Sequence, residues 1–385
     1  MQFKLTVLAL TVGVFITACG GGGGSSDSST APPNSGQTPV VPPTSPVPNP
    51  PVTPGLQETI LNTVNVEDVA SEITAATFGL SSWTPRAMFV SDHILYIGDS
   101  YPKVQILRYD LKAKRPLPAV TLKNSQDNNA QIVWKDLTDI YLKEQRLYVA
   151  NGSEQRVDIF NLTNANAEFV MSLGTGSNTH PATLGLNYPM AVAANAEYVF
   201  VADQNNQINV WSQGSIQASN HLAAQKQARL SLPNCMRGCM TRMELLGDHL
   251  YAATNTGNTY VYHLNDIRNA ASNTQLIEPR KVQNNAATVF HLSTADQLMY
   301  SAQPSGRIQM FKQDDMQKAA QVLPEAQFDA VSQYRLPGQA ARNMSKALDV
   351  ATHDDIIFSL FDQKIVALPV RRLQHKQQRT LVTPT

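Results

Sequence analysis

The 385-residue chain has no excess of charge of either sign: Lys plus Arg and Asp plus Glu stand at 30 each. Without an electropositive surface, a nucleic-acid role is disfavoured. Beyond the first residues, no apolar run approaches the roughly 20 residues of a membrane-spanning helix. Signatures of chemistry are missing as well. There is no H-E-x-x-H, C-x-x-C or EF-hand spacing, and no G-x-S-x-G nucleophile elbow. No catalytic residue, metal ligand set or cofactor is nominated on these grounds. Cysteine is scarce, at Cys19, Cys235 and Cys239.

A repeat takes the place of those motifs. At intervals of 49 to 58 residues the chain returns to two apolar residues ending in an aromatic, then small residues, then a polar turn. The copies are Ile94–Asp99, Arg146–Asn151, Tyr198–Asp203, His249–Thr254, Leu298–Gln303 and Ile356–Phe361. Fixed-period similarity of this length marks a repeat architecture. The third copy shows the unit. Met190–Ala194, Tyr198–Ala202, Ile208–Trp211 and Gln227–Leu232 read as four strands split by polar turns, which is one propeller blade in about 50 residues. Third strands end in Phe160, Trp211, Tyr262 and Phe311, rings suited to packing between blades.

These copies resemble NHL-type and related six-bladed propellers, most clearly over Leu186–Val192 and Phe200–Asp203. The resemblance implies an all-β fold over residues 56–385: six four-stranded antiparallel blades, preceded by a disordered tether. Ring closure has two solutions in the sequence. Gln378–Val382 supplies the last outer strand, or Glu58–Val66 crosses over to supply it.

Residues 1–18 read as a targeting segment, with Lys4 ahead of an apolar run too short to span a bilayer. Ile16-Thr17-Ala18-Cys19 resembles the lipobox of bacterial lipoproteins, which implies cleavage before Cys19 and a lipid anchor on that residue. Residues 19–55 are then a linker: a glycine run, serines, and a proline-dense stretch. Such a tether reaches up to roughly 100 Å. Gly20 follows the anchor, and the absence of Asp there favours the outer membrane. The basic cluster around Arg371, Arg372 and Arg379 reads as a solvated strand face.

In such a ring, the loops leading into each first strand and the loops joining second to third strands share one face. Clefts of this kind take ligands. Trp83, Arg86, Trp134, Lys135, Asp136, Tyr188, Arg237, Arg242 and Arg342 are the candidate recognition residues of this mouth. His93, His249 and His353 fall at the first-to-second-strand turns of the other face, with turn-forming aspartates. In the oxidising compartment that the lipoprotein resemblance implies, Cys235 and Cys239 form a short disulfide. The competing reading is a soft copper(I) site with the flanking methionines. The expected function is a lipid-anchored, monomeric binding or scaffold module for a protein or glycan. The alternative is a metal-dependent hydrolase of the propeller lactonase type, with Asp99, Asn151, Asp203 and Asn255 as the ligands on offer.

Overall fold

The structure, a computed structural model, describes residues 71–369, except 124–133, 135, 175–184, 219–225, 271–274, 285–288, 294–297, 303–307, 313–325, 329–332, 335, 337, 340, 341, 344–346 and 362. Within these residues the protein folds as a propeller of small antiparallel sheets. The six innermost strands are Pro85–Ser91, Leu137–Lys143, Ala191–Ala194, Met240–Leu246, Val289–Ser293 and Asp349–His353. Each lies against the next, and the last lies against the first. Each begins a meander in which later strands step outward.

The repeat carries this architecture for a physical reason. The second strand of each sheet is covered on both faces, so it reads as a short continuous apolar run. Tyr198–Asp203 is buried at every position. Its neighbour Gln207–Ser212 is buried through Ile208–Trp211. The pairing Val201↔Asn209 and Phe200↔Val210 follows the expected meander. Phe160, Trp211 and Tyr262 are core residues, and Phe160 meets Trp134 and Phe169 edge to face.

The expectation of six blades is met in part: five sheets are built around one continuous stretch of sequence each. The remaining sheet is composite. Its three C-terminal strands take a fourth from the other end of the domain, where Ser71–Thr74 pairs antiparallel with Lys364–Pro369 from Ser71↔Ala367 to Thr74↔Lys364. The clasp is thus an N-terminal crossover five residues downstream of the expected Glu58–Val66, and both Glu58–Val66 and Gln378–Val382 lie outside the described residues. Ile73 anchors the clasp in a cluster with Trp83, Met88 and Phe358. A composite sheet ties the two ends of the ring together, with Ser71–Thr74 as its outer strand.

Two further edges are covered by connecting segments. Thr121–Lys123 runs parallel to the outer strand Asn166–Leu173 of the second blade. Leu276–Ile277 does the same for Lys226–Ser231 of the third. Short helices, Gln213–Ala218 and Leu264–Arg268, follow two of the third strands.

Candidate functional site

The axis of the ring is occupied by charge. Pairing places Ala87, Asp139, Ala191, Arg242, Val289 and Asp349 at one register position of the six inner strands. Alternate inner strands carry an ionisable residue there, and Arg242 meets both aspartates. Arg242 Nη1 lies 3.0 Å from Asp139 and 3.3 Å from Asp349. Its Nε and Nη2 bond Glu244 Oε1 at 3.3 and 3.2 Å. Nη2 also donates to Met88 O. All four charged groups are buried.

The aspartates serve the backbone too. Asp139 accepts from the amides of Val192 and Ile140, and Asp349 from those of Met88 and Val350. Inner strands of neighbouring blades are not hydrogen-bonded as a sheet, so such amides need a side-chain acceptor. Burial pushes the Asp139 carboxyl up to about 7 despite the pull of Arg242. The same cause raises Asp349. Arg242 is held charged by the three carboxylates.

One residue away, the mouth is built by a recurring irregularity. The pairing slips between Pro85 and Ala87, between Leu137 and Asp139, and between Met240 and Arg242. The extra residues are Arg86, Thr138 and Thr241. The third and last inner strands start alike. Met190 N–H donates to Ala202 O, which already faces Ala191. Leu348 N–H donates to Leu360 O, which already faces Asp349. A bulge re-aims a side chain that strict alternation would send elsewhere. All five of these residues line one cavity of about 290 Å³ at the mouth, together with Asp136, Leu137, Tyr188, Met240 and Ala347.

Tyr188 and Asp136 form the polar wall of that cavity. The Tyr188 hydroxyl donates to Asp136 Oδ2. Burial, with the carboxylate beside it, pushes the phenol up to about 12. Tyr188 holds a positive φ of 52°, and its ring lies over Gly152, where a Cβ would come within 2.8 Å of Cζ. Thr138 Oγ1 donates to Pro189 O at 2.7 Å, which fastens the next leading loop. Arg86 is exposed, lies close enough to act electrostatically on Tyr188, and among the described residues hydrogen-bonds only Ser100 Oγ, through Nε at 3.4 Å.

The expected mouth residues divide as follows. Arg86, Asp136 and Tyr188 come together in the cavity. Arg237 is exposed on its loop. Trp83 and Trp134 are corrected to core positions. Trp83 is 2% exposed, and its Nε1 donates to Gln363 O at 2.7 Å. Trp134 packs on Phe160. Large rings next to a blade edge gain more from burial between sheets than from solvent. Arg242 is likewise corrected: it is not a loop residue but the axial cation. Arg342 sits in the two-residue strand Arg342–Asn343, paired with Gln333–Tyr334. Lys135 lies outside the described residues.

Cys235 and Cys239 lie at disulfide distance, with Cα atoms 5.8 Å apart. The bridge closes the loop leading into the fourth blade, and Cys239 O accepts from Asn255 N. A Cβ on Gly238 would sit 3.7 Å from Met190 Sδ, so this loop lies beside that cavity residue. Met236 at its tip is 75% exposed, and Tyr101 on a second-to-third-strand loop is 67% exposed.

Asp99 and Asp203, two ligands of the hydrolase alternative, secure loops. Asp99 accepts from the amides of Thr84 and Tyr101 and from Gln105. Asp203 accepts from the amides of Asn187 and Asn205 and from Asn209. Among the described residues, no group of three His, Cys, Asp or Glu side chains could hold a metal ion. On the opposite face, a hollow of about 470 Å³ lies beside Arg146, Tyr148 and Gln213, whose polar atoms pair with one another.

No family description matches this protein, and no curated protein matches it. Among solved structures, the crystal structure of the computationally designed Ika8 protein is similar at 13% identity with a TM-score of 0.41, covering 74% of this chain and 70% of that one.

Proposed function

We propose that this protein is a recognition module whose propeller mouth holds a partner, the composite sheet serving as the sixth blade of an NHL-like ring. The observation that carries this reading is the cavity floor. Three inner strands each commit one bulged residue to it, and the residues leading into two more, Met190 and Leu348, join them; bulges of this kind aim side chains at binding and active sites. The plugged axis lies under the floor, so a ligand rests on the mouth and does not pass through the ring.

The lipobox-like Ile16–Cys19 and the glycine- and proline-rich stretch after it support anchoring through Cys19 at the outer membrane, with the propeller held away on a long tether. Such an anchor suits a protein that captures or positions another molecule at the envelope. The partner classes carried forward are protein and glycan.

A photo-crosslinking residue tests this in intact cells. Placed at Arg237, on the mouth side, it should yield a discrete crosslinked species. Placed at Lys143, on the opposite face, it should not. Identical patterns from both positions, or none from Arg237, would overturn the reading.

A further inference from the structure

We propose that the mouth binds an extended polypeptide segment in which a carboxylate lies beside an apolar side chain, Arg86 taking the carboxylate and the Met190–Met240–Leu348 floor taking the side chain. This rests on the recognition reading above and names the chemistry of its partner.

The cavity contains one cation and one anion, and they do not pair with each other. Asp136 Oδ2 is engaged by the Tyr188 hydroxyl, and that phenol stays protonated across the physiological range. The terminal amino groups of Arg86 meet no acceptor among the described residues. A guanidinium presents a planar fork that matches a carboxylate with two parallel bonds. The innermost strands carrying Arg86 and Leu348 are neighbours in the ring. The anion site therefore adjoins an apolar one, and Leu348 and Ala347 continue into Leu137, Met190 and Met240. Methionines adapt their shape to whatever apolar group enters.

Size and lining decide between partner classes. A volume of about 290 Å³ sits at the lower limit of ligand pockets, room for one side chain and its neighbouring carboxylate. An oligosaccharide needs a longer groove with many hydroxyl partners, and most of this floor is apolar. The remaining oxygen of Asp136 can accept a backbone N–H from the same segment. Met236 and Tyr101, exposed on loops of this face, extend the contact beyond the cavity. The carboxylate has two sources, an acidic residue or the C-terminus of the partner, and the chemistry at Arg86 is the same for both.

The test uses the full-length protein in detergent and fluorescent acetylated hexapeptides, with Asp, Glu, Asn or Gln set beside Leu, Ile, Phe or Met. Each peptide is made with a free and with an amidated C-terminus. Acid-bearing peptides should bind at least about tenfold more tightly than their Asn or Gln counterparts. Where the C-terminus is the source, the free acid should exceed the amide by the same factor. Arg86→Met, an exposed position, should abolish the preference without moving Tm. Equal binding of neutral peptides, an unchanged preference in R86M, or binding of an acidic galacturonate hexamer but of no peptide would each overturn the proposal. Crosslinking from Arg237 that persists when no peptide binds would sink this chemistry and leave recognition at the mouth standing. Loss of both would remove that reading too.

Discussion

Arg242→Met removes the cation that faces three buried carboxylates while keeping most of the side-chain volume. Deleting one partner of a buried ion pair costs about 3–5 kcal/mol, because the remaining charge stays desolvated. Domains are stable by roughly 5–15 kcal/mol. For a protein of this size each kcal/mol moves Tm by about 2–4 °C, so a drop of roughly 6–20 °C is expected. The pH dependence carries more information than the size. Asp139 titrates near 7 in the folded protein, well above the roughly 3.9 of an unfolded aspartate. Its contribution is therefore full below about pH 4 and is lost as pH rises through 7. Asp349 shifts in the same direction from burial, and the cluster titrates as one unit.

In the Met variant these carboxylates must be protonated to stay buried, so the loss should be smaller at pH 5 than at pH 8. Urea titrations and thermal melts followed by circular dichroism at pH 5, 6.5 and 8, at constant ionic strength, measure both quantities. The wild-type protein should itself be more stable at pH 5 than at pH 8 through this cluster. A variant that melts within 3 °C of wild type at every pH would refute the reasoning. So would a deficit of equal size at pH 5 and pH 8.

Removing residues 1–74 should strip the clasp from the composite sheet and the buried Ile73, costing about 2 kcal/mol for that side chain alone and baring a sheet edge. Removing residues 1–57 leaves Ser71–Thr74 in place, so size-exclusion chromatography should show association for the longer truncation and not for the shorter. The Cys235→Ser/Cys239→Ser variant opens a loop whose ends are separated by four positions. The chain-entropy relation gives about 2 kcal/mol for so short a closure. Reductant should lower the wild-type Tm toward that of the variant and leave the variant unchanged.

The blades were legible because their second strands are buried on both faces and must stay apolar, period after period. Tyr198–Asp203 and Gln207–Ser212 lie within a residue of their expected ends. His93 lies in a first-to-second-strand turn, and His249 and His353 are the strand-end residues beside two others, as polar spacing indicates. The axis was harder to see. Arg242 follows the Cys235–Cys239 loop so closely that it reads as part of it, and the bulge at Thr241 breaks the alternation that would show Arg242 pointing inward. A signal did exist: Asp139 and Asp349 lie 103 and 107 positions from Arg242, two repeat periods each. Only aligned inner strands reveal that spacing. Trp83 and Trp134 misled for another reason. A tryptophan just ahead of a strand can face solvent or turn under the sheet, and local sequence does not choose. Clasping by Ser71–Thr74 was illegible in its position because a four-residue strand carries too little pattern.

The bulges give mouth and axis adjacent residues, and a deletion can separate them. Met240 faces Thr254 and Arg242 faces Ala253, with Thr241 as the surplus residue between. Deleting Thr241 removes the surplus and leaves both pairings in a regular ladder, so Arg242 should keep its place among Asp139, Glu244 and Asp349. The variant loses the Thr241 Oγ1 bond to Ala253 O and must redraw the loop ahead of it, at a cost of about 1–2 kcal/mol. It should keep the wild-type dependence of Tm on pH while losing one floor residue of the mouth and its hold on acidic peptides. Arg242→Met should do the reverse, changing the pH dependence most. If deleting Thr241 flattens the pH profile as Arg242→Met alters it, the strand has slipped by one residue and floor and plug are not independent. Blades one, two and four share this arrangement, so deletions of Arg86 and Thr138 repeat the experiment around the ring.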